Sequence, residues 1–155
     1  MDIELQTDAS GSIGCGAMWG RRWMSVLWKW DRRDEVVVNV AILELIPIVL
    51  AAEAWGHKWS RLRINFQTDN MAVFWAGKSW SPKLDHLGKL FRILARIAIR
   101  HNFEAKFTHI PGKTNQDADD LSRDRIERFR RRNPGADSKA THYSRSLLEA
   151  CLAKD

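Results

Sequence analysis

Ile3-Glu4-Leu5-Gln6-Thr7-Asp8 and Ile64-Asn65-Phe66-Gln67-Thr68-Asp69 both alternate apolar and polar side chains, and both close on the same three residues, Gln-Thr-Asp. Alternation with a period of two is the signature of a β-strand. A carboxylate at the end of one strand says little. Two such strands side by side in a parallel sheet would deliver both carboxylates to one edge, the edge where open α/β sheets place their sites. Like charges held that close repel, and the arrangement is costly unless a cation lies between them.

Working outward from these strands, Ile3–Ser10, Ser12–Trp19 and Trp23–Trp30 read as three strands, punctuated by Gly11 and Gly20. Connections this short fit an antiparallel meander. Ala41–Trp59 has apolar residues at helical spacing and is expected to be a buried helix, with Pro47 tolerable only near the first turn. Leu62–Asp69 is the fourth strand, Asn70–Ala76 a short helix, and Pro82–Arg100 a longer one with Leu84, Leu87, Phe91, Leu94 and Ala98 on one stripe. Glu104–Ile110 is a fifth strand, and Asn115–Arg132 a last helix closed by Asn133-Pro134-Gly135. This order predicts an α/β domain over residues 1–133: a mixed five-stranded sheet, three antiparallel strands then two parallel, with helices on both faces. Residues 134–155 read as a C-terminal tail or linker in which Ser144–Leu152 forms a short amphipathic helix that docks on a neighbouring domain.

At 155 residues the chain has the size of one domain with a full core. Its formal charge of +6 favours a polyanionic partner such as nucleic acid. Cys15 and Cys151 lie far apart, outside any CxxC or Cys/His cluster, which argues against zinc and against a disulfide framework. Cys15 alternates with Ile13 and Ala17 and reads as buried and reduced. The polar start, Met1 to Asp8, is unlike a signal peptide. Val36–Trp55, the most apolar stretch, contains Asn39, Glu44, Pro47 and Glu53, which argues against a membrane span. A soluble protein of a reducing, intracellular compartment, cytoplasmic or nuclear, is expected.

Four acids then ask for an explanation: Asp8, Glu44, Asp69 and Asp119. Each has an ordinary one. Glu44 fits the exposed first turn of a helix, where the dipole favours it. Asp69 fits a helix N-cap. Asp8 fits a solvated strand end, and Asp119, beside Asp117 and Asp120, an acidic helix start. None of these readings accounts for the ordered set of strand Asp, helix Glu, strand Asp and helix Asp on a topology that can gather all four at one sheet edge.

In order and context these four acids resemble the DEDD carboxylate set of the ribonuclease H family. The segment Thr108-His109-Ile110-Pro111-Gly112-Lys113-Thr114-Asn115-Gln116-Asp117-Ala118-Asp119-Asp120-Leu121-Ser122-Arg123 is similar to the H-[IV]-P-G-K-x-N-x-x-A-D-x-L-S-R motif closing the RNase H domain of retrotransposon reverse transcriptases. Leu43-Glu44-Leu45-Ile46-Pro47-Ile48-Val49, taken with Thr68-Asp69-Asn70-Met71-Ala72-Val73, most resembles the DIRS-type, tyrosine-recombinase retroelements. The similarity spans about Leu5 to Asp137, and the last motif selects Asp119 over Asp117 and Asp120. With only Gly77 to Pro82 between the short and long helices, the chain lacks the basic protrusion with which cellular RNases H hold hybrid. A start at Met1, directly before the first strand, suggests a domain excised from a longer polyprotein, with a reverse transcriptase polymerase domain as fused or associated partner.

The resemblance implies an RNase H-like fold and a metal-dependent endonuclease that cuts the RNA strand of RNA/DNA hybrids, leaving 5′-phosphate and 3′-hydroxyl ends. Four carboxylates without a His cluster make a hard oxygen site suited to two Mg²⁺ or Mn²⁺ ions. By resemblance Asp8 bridges both ions, Glu44 and Asp69 complete the shell of one, and Asp119 that of the other. Main-chain groups at Ser10, Gly11 and Ser12 and the side chain of Asn70 would read the RNA 2′-hydroxyl. Lys78, Trp80 and Lys83, near the loop before the long helix, would hold the DNA strand. His109, ten residues before Asp119, matches a mobile histidine of cellular RNases H and would move a proton or help release product; its ordinary reading is a turn-fixing residue. Lys89, Arg92, Arg96 and Arg100 read as a solvated helix face, most of the eight tryptophans as packing, and the six arginines of Arg123–Arg132 as a nucleic-acid track or a solvated helix end. Three alternatives stand beside the hybrid nuclease. A silent RNase H-like binding or connection domain is opposed by the intact acid set. Proofreading exonucleases carry Asp-x-Glu where this chain has Asp8-Ala9-Ser10, and integrases run Asp, Asp, Glu.

Overall fold

In a computed structural model that describes residues 2–28, 39–79 and 85–153, five strands form one sheet in the order β3-β2-β1-β4-β5. They are β1 (Asp2–Ala9), β2 (Gly14–Trp19), β3 (Arg22–Leu27), β4 (Arg63–Thr68) and β5 (Glu104–His109). The first three pair antiparallel, and β1/β4 and β4/β5 pair parallel. The mixed sheet expected from the sequence is present, with β1 at its centre.

The register between β1 and β4 sets Leu5 opposite Phe66 and Gln6 opposite Gln67. Continued by two residues, it brings Asp8 level with Asp69. Side chains then sort by face. Leu5, Cys15, Ala17, Met24, Ile64 and Phe66 are fully buried in the main core, and lying over them is helix α1 (Val40–Trp55), of which only Val40, Glu53 and Ala54 escape burial. The window from Val40 to Lys58 is apolar enough to cross a membrane by composition, yet 78% of it is buried inside the protein. Pro47 lies well inside α1, not near its first turn as expected. Proline there lacks the N–H that would bond the Leu43 carbonyl, and contact on nearly every side of the helix offsets that loss.

Helix α2 (Met71–Ser79) packs on β5 through Gly77, where a Cβ would collide with the Phe107 ring. Helix α3 (His86–His101) presents Leu90, Phe91, Leu94 and Ile97 to the core, and is capped by Asp85 at its start and by left-handed Asn102 at its end. Residues 80–84, including Leu84 of the expected stripe, and 29–38 lie outside the described residues.

The other sheet face takes helix α4 (Gln116–Ser122), and α5 (Ile126–Arg132) packs beyond it. The sequence predicts one helix over residues 115–132, but the chain breaks it at Arg123–Arg125. Asp124 adopts φ 58°, and the Arg125 N–H reaches back to the Asp120 carbonyl at 2.9 Å. The break lets α5 fold back so that Phe129 stacks against Trp23, ring centroids 5.5 Å apart, over Leu121. The C-terminal segment belongs to the same body. Asp137 and Thr141 N–H groups bond the Arg21 and Trp23 carbonyls and cover the edge of β3. The expected amphipathic helix forms as α6 (Arg145–Leu152), capped by Ser144, and buries Leu148 and Cys151 against the domain's own core.

Gly16 fixes how close α4 comes to the sheet. It alternates with Cys15 and Ala17, and so points to the face opposite α1. A Cβ there would collide with the Leu121 side chain and lie 2.9 Å from the Leu121 carbonyl carbon. Gly16→Ala is therefore expected to push α4 off β2 and to cost about 1–3 kcal/mol, read as a shift in the urea unfolding midpoint at unchanged slope. An unshifted midpoint would mean that α4 has room to move.

Candidate metal and nuclease site

Three carboxylates converge where the parallel strands end. Ligand oxygens of Asp8, Glu44 and Asp69 all lie within 4.8 Å of one another. Asp8 leaves β1 as its penultimate residue, and Asp69 follows the last residue of β4. Glu44 is the fifth residue of α1, buried with 6% exposure, not an exposed first-turn acid. The capping role open to Asp69 is taken by its neighbour: Asn70 Oδ1 accepts from the Val73 N–H at 2.9 Å.

Burial, and after it charge crowding, governs the electrostatics. Burial, then the nearby Asp69 and Asp119, push the Asp8 carboxyl up to about 7. Burial, then Asp8 and Asp69, push Glu44 up to about 9. Asp69 is also raised, chiefly by burial and partly by Asp119, while a hydrogen bond from Asn115 and the charge of His109 draw it down. Asp119, on α4, lies within hydrogen-bond reach of Asp8 and is itself bonded by Arg123 Nε at 3.0 Å. The four predicted acids are thus brought together, three as a tight cradle and Asp119 beside it. Asp117 and Asp120 turn away: Asp120 is buried against Arg132 Nη2 at 2.6 Å, and Asp117 bonds Arg132 and Asn133.

The other predicted residues divide. His109 ends β5, exposed, with its ring 6.1 Å from that of Phe74 and close enough to Asp69 to act on its charge. Ser10 is engaged throughout: its Oγ accepts the Ile13 and Gly14 N–H groups at 3.0 Å, its N–H bonds Gly14 O, and its carbonyl accepts from Trp28 Nε1. It builds the turn, while Gly11 and Ser12 stand exposed on it. Asn70 spends Oδ1 on its cap, which leaves the amide nitrogen to meet a ligand. Lys78 lies over the Phe74 and Trp75 rings at 5.3 and 5.8 Å. Trp80 and Lys83 lie outside the described residues.

Two residues were not picked out as site residues in the sequence. Asn115 is fully buried, donates through Nδ2 to the Thr7 carbonyl at 2.9 Å, and supports Asp69. Its signal was the Asn of the quoted H-[IV]-P-G-K-x-N motif. Arg123 was legible as the last residue of that motif and as one arginine of a basic run, without a role attached.

The donor set suits a hard divalent ion. Glu44 Oε2 is buried with no hydrogen-bond partner among the described residues, an expensive state for a carboxylate oxygen unless a proton or a cation meets it. The all-oxygen cradle and the raised Asp8 and Glu44 both fit a bound cation.

No protein-family model matches the chain, and no curated protein does. Solved structures do. The N-terminal RNase H domain of a Mycobacterium tuberculosis protein aligns with a TM-score of 0.56 at 14% identity, over 80% of this chain and 98% of that one. RNase H1 of Halobacterium salinarum aligns at 0.53 and 16%, over 82% and 97%. LC11-RNase H1, solved in complex with an RNA/DNA hybrid, aligns at 0.53 and 18%, over 81% and 98%. The chain has an RNase H-like fold.

Crowding makes a prediction about pH. Asp8 and Glu44 hold their protons more tightly folded than unfolded, where they titrate near 3.8 and 4.5. Their contribution to stability is therefore complete below about pH 4 and is lost as the pH rises through about 7 and then about 9. One pKa unit corresponds to about 1.4 kcal/mol, so metal-free protein is expected to lose on the order of a few kcal/mol between about pH 5 and pH 9. Calorimetric melting across that range should show the fall, and Glu44→Gln should flatten it. A melting temperature that rises with pH in the wild type would contradict the crowding.

Proposed function

We propose that this chain is a divalent-metal-dependent endonuclease that hydrolyses the RNA strand of RNA/DNA hybrids by a two-ion mechanism. The observation that carries the reading is the cradle of Asp8, Glu44 and Asp69, with Asp119 alongside, on an RNase H-like sheet. The substrate class is supported by the hybrid bound to LC11-RNase H1 and by the chain's net charge of +6. The motif from Thr108 to Arg123 supports a reverse transcriptase context of the retrotransposon type, with a polymerase domain as partner. Two buried cysteines, both free thiols, fit a reducing intracellular compartment.

In this mechanism Asp8, Glu44 and Asp69 would hold one ion, and Asp8 and Asp119 the other. When bound, such ions lower the pKa of water and neutralise charge on a phosphodiester. The protein's residues do the rest. Parallel β1 and β4 fix Asp8 and Asp69 on rigid strand ends. Asn115 ties Thr7 to Asp69, so that the strand ends and the start of α4 move as one unit. Gly11 and Ser12, exposed on the turn after β1, and the Asn70 amide would contact the RNA 2′-hydroxyl. His109 stands beside Asp69 without belonging to the cradle, placed to pass a proton or help the product phosphate leave. Lys78, braced on two rings, would bind a DNA phosphate.

End-labelled RNA/DNA hybrid, duplex DNA, duplex RNA and single strands, each with Mg²⁺, Mn²⁺ or chelator, test the reading. Cutting of hybrid alone, and only with metal, is expected. Asp8→Asn should lower the rate at least about a thousandfold, ~4 kcal/mol of barrier, without lowering the melting temperature. Near-wild-type cutting by Asp8→Asn, or none by the wild type, would overturn the proposal.

The three neighbouring acids should separate in the same assay. Asp119→Asn should abolish cutting and leave stability intact. Asp117→Asn should do little to either. Asp120→Asn should cut normally when folded but lose about 1–3 kcal/mol of stability, because it removes the charge from a buried carboxylate paired with Arg132 at 2.6 Å. Equal losses of activity at all three would refute the assignment of Asp119.

A further inference from the structure

Arg123 sets a positive charge directly on the site. The residue is the C-cap of α4, and its N–H is shared between the Asp119 and Asp120 carbonyls at 3.2 Å. The backbone thereby holds the side chain over Asp119, where Nε bonds Oδ1 at 3.0 Å. Asp119 and, more weakly, Asp8 strengthen the hold on the guanidinium charge. This pair differs from the neighbouring ones. Asp120 is 3% exposed and locked to Arg132, a contact that serves the fold. The Arg123 and Asp119 side chains are 43% and 38% exposed, so their pair can be opened at little cost.

The guanidinium bonds one Asp119 oxygen and sets a positive charge where a second dication would approach, so it opposes that ion at this carboxylate. The Asp8, Glu44 and Asp69 oxygens form a compact cradle that no arginine among the described residues pairs, whereas the Asp119 side is already paired. We propose that Arg123 is a built-in competitor for the second ion. The first divalent ion enters the three-carboxylate cradle without meeting a described arginine, and the second gains Asp119 against the charge and the hydrogen bond of Arg123. Arg123 therefore acts as a positioning residue that makes the two affinities unequal and sets the order of loading. The inference rests on the function proposed above.

Calorimetric titration of Mn²⁺ into the metal-free full chain, without nucleic acid, tests it apart from catalysis. In wild type a tight event and a weaker one are expected, or the tight one alone. Arg123→Gln should tighten the weaker event by about fivefold or more, or make it visible, because both the ion pair and the repulsion on the incoming dication are removed. The tight event should not move. Arg123→Lys, which keeps the charge, should behave like wild type. In an Asp119→Asn background the gain from Arg123→Gln should shrink, because only the repulsion is left to remove. A second event that is unchanged or weakened by Arg123→Gln, or absent from both proteins, would overturn the inference while leaving the cradle standing. No Mn²⁺ bound by wild type at all would overturn both this inference and the function beneath it.

Discussion

Everything at the working edge of this protein depends on holding carboxylates closer together than water-exposed charges would settle. Asp8 and Asp69 come level because β1 and β4 run parallel with Gln6 opposite Gln67, and Glu44 is driven against them because the helix that carries it is too apolar to lie anywhere but in the core. None of the three can retreat: two are set by strand register and the third by burial. Burial and repulsion are therefore met by protons when metal is absent, which is what the high values of Asp8 and Glu44 express. A group that takes up protons for want of a better cation is well prepared to exchange them for one.

The surrounding structure keeps that edge rigid. Asn115 links the end of β1 to Asp69, the turn built by Ser10 fixes the exit of β1, and Gly16 allows α4 to lie directly on β2 with Asp119 at the cradle's side. A bulkier residue at any of these points would translate a ligand by a fraction of an ångström, enough to matter to an ion that demands near-octahedral oxygen geometry.

Much of this was legible in the sequence, because it follows from periodicity. Alternation in the segments at Ile3 and Ile64 located both strands and their terminal acids, and the five-stranded mixed sheet followed from element order. What was not legible depended on tertiary contact. Pro47 looked as though it must begin a helix, since propensity does not count the neighbours that compensate for a lost hydrogen bond. Residues 115–132 carried an unbroken helical pattern, and only the pairing of Phe129 with Trp23 explains the stop at Asp124. Ser10 carried the right chemistry for a ligand contact but spends it on its own turn, on the Ser122 carbonyl and on Trp28, a distinction that residue type alone cannot draw. The acid cradle was found through order and context, while Asn115 and Arg123, whose importance comes from what they touch, were not.

Helical geometry explains how three nearly adjacent acids come to do different things. On α4, positions 117 and 120 lie three apart and share a face, so Asp117 and Asp120 both turn to Arg132 on α5. Position 119 is rotated about 100° from 120 and looks instead toward Asp8. Breaking the helix at Asp124 is what allows Arg132 to fold back onto the first face. The same break leaves Arg123 in place over the second. The chain thus uses one turn to separate two jobs: Arg132, which neutralises acids for the fold, is pinned by Gln116, Asp117 and the buried Asp120, and Arg123, which neutralises Asp119, holds it through one exposed contact.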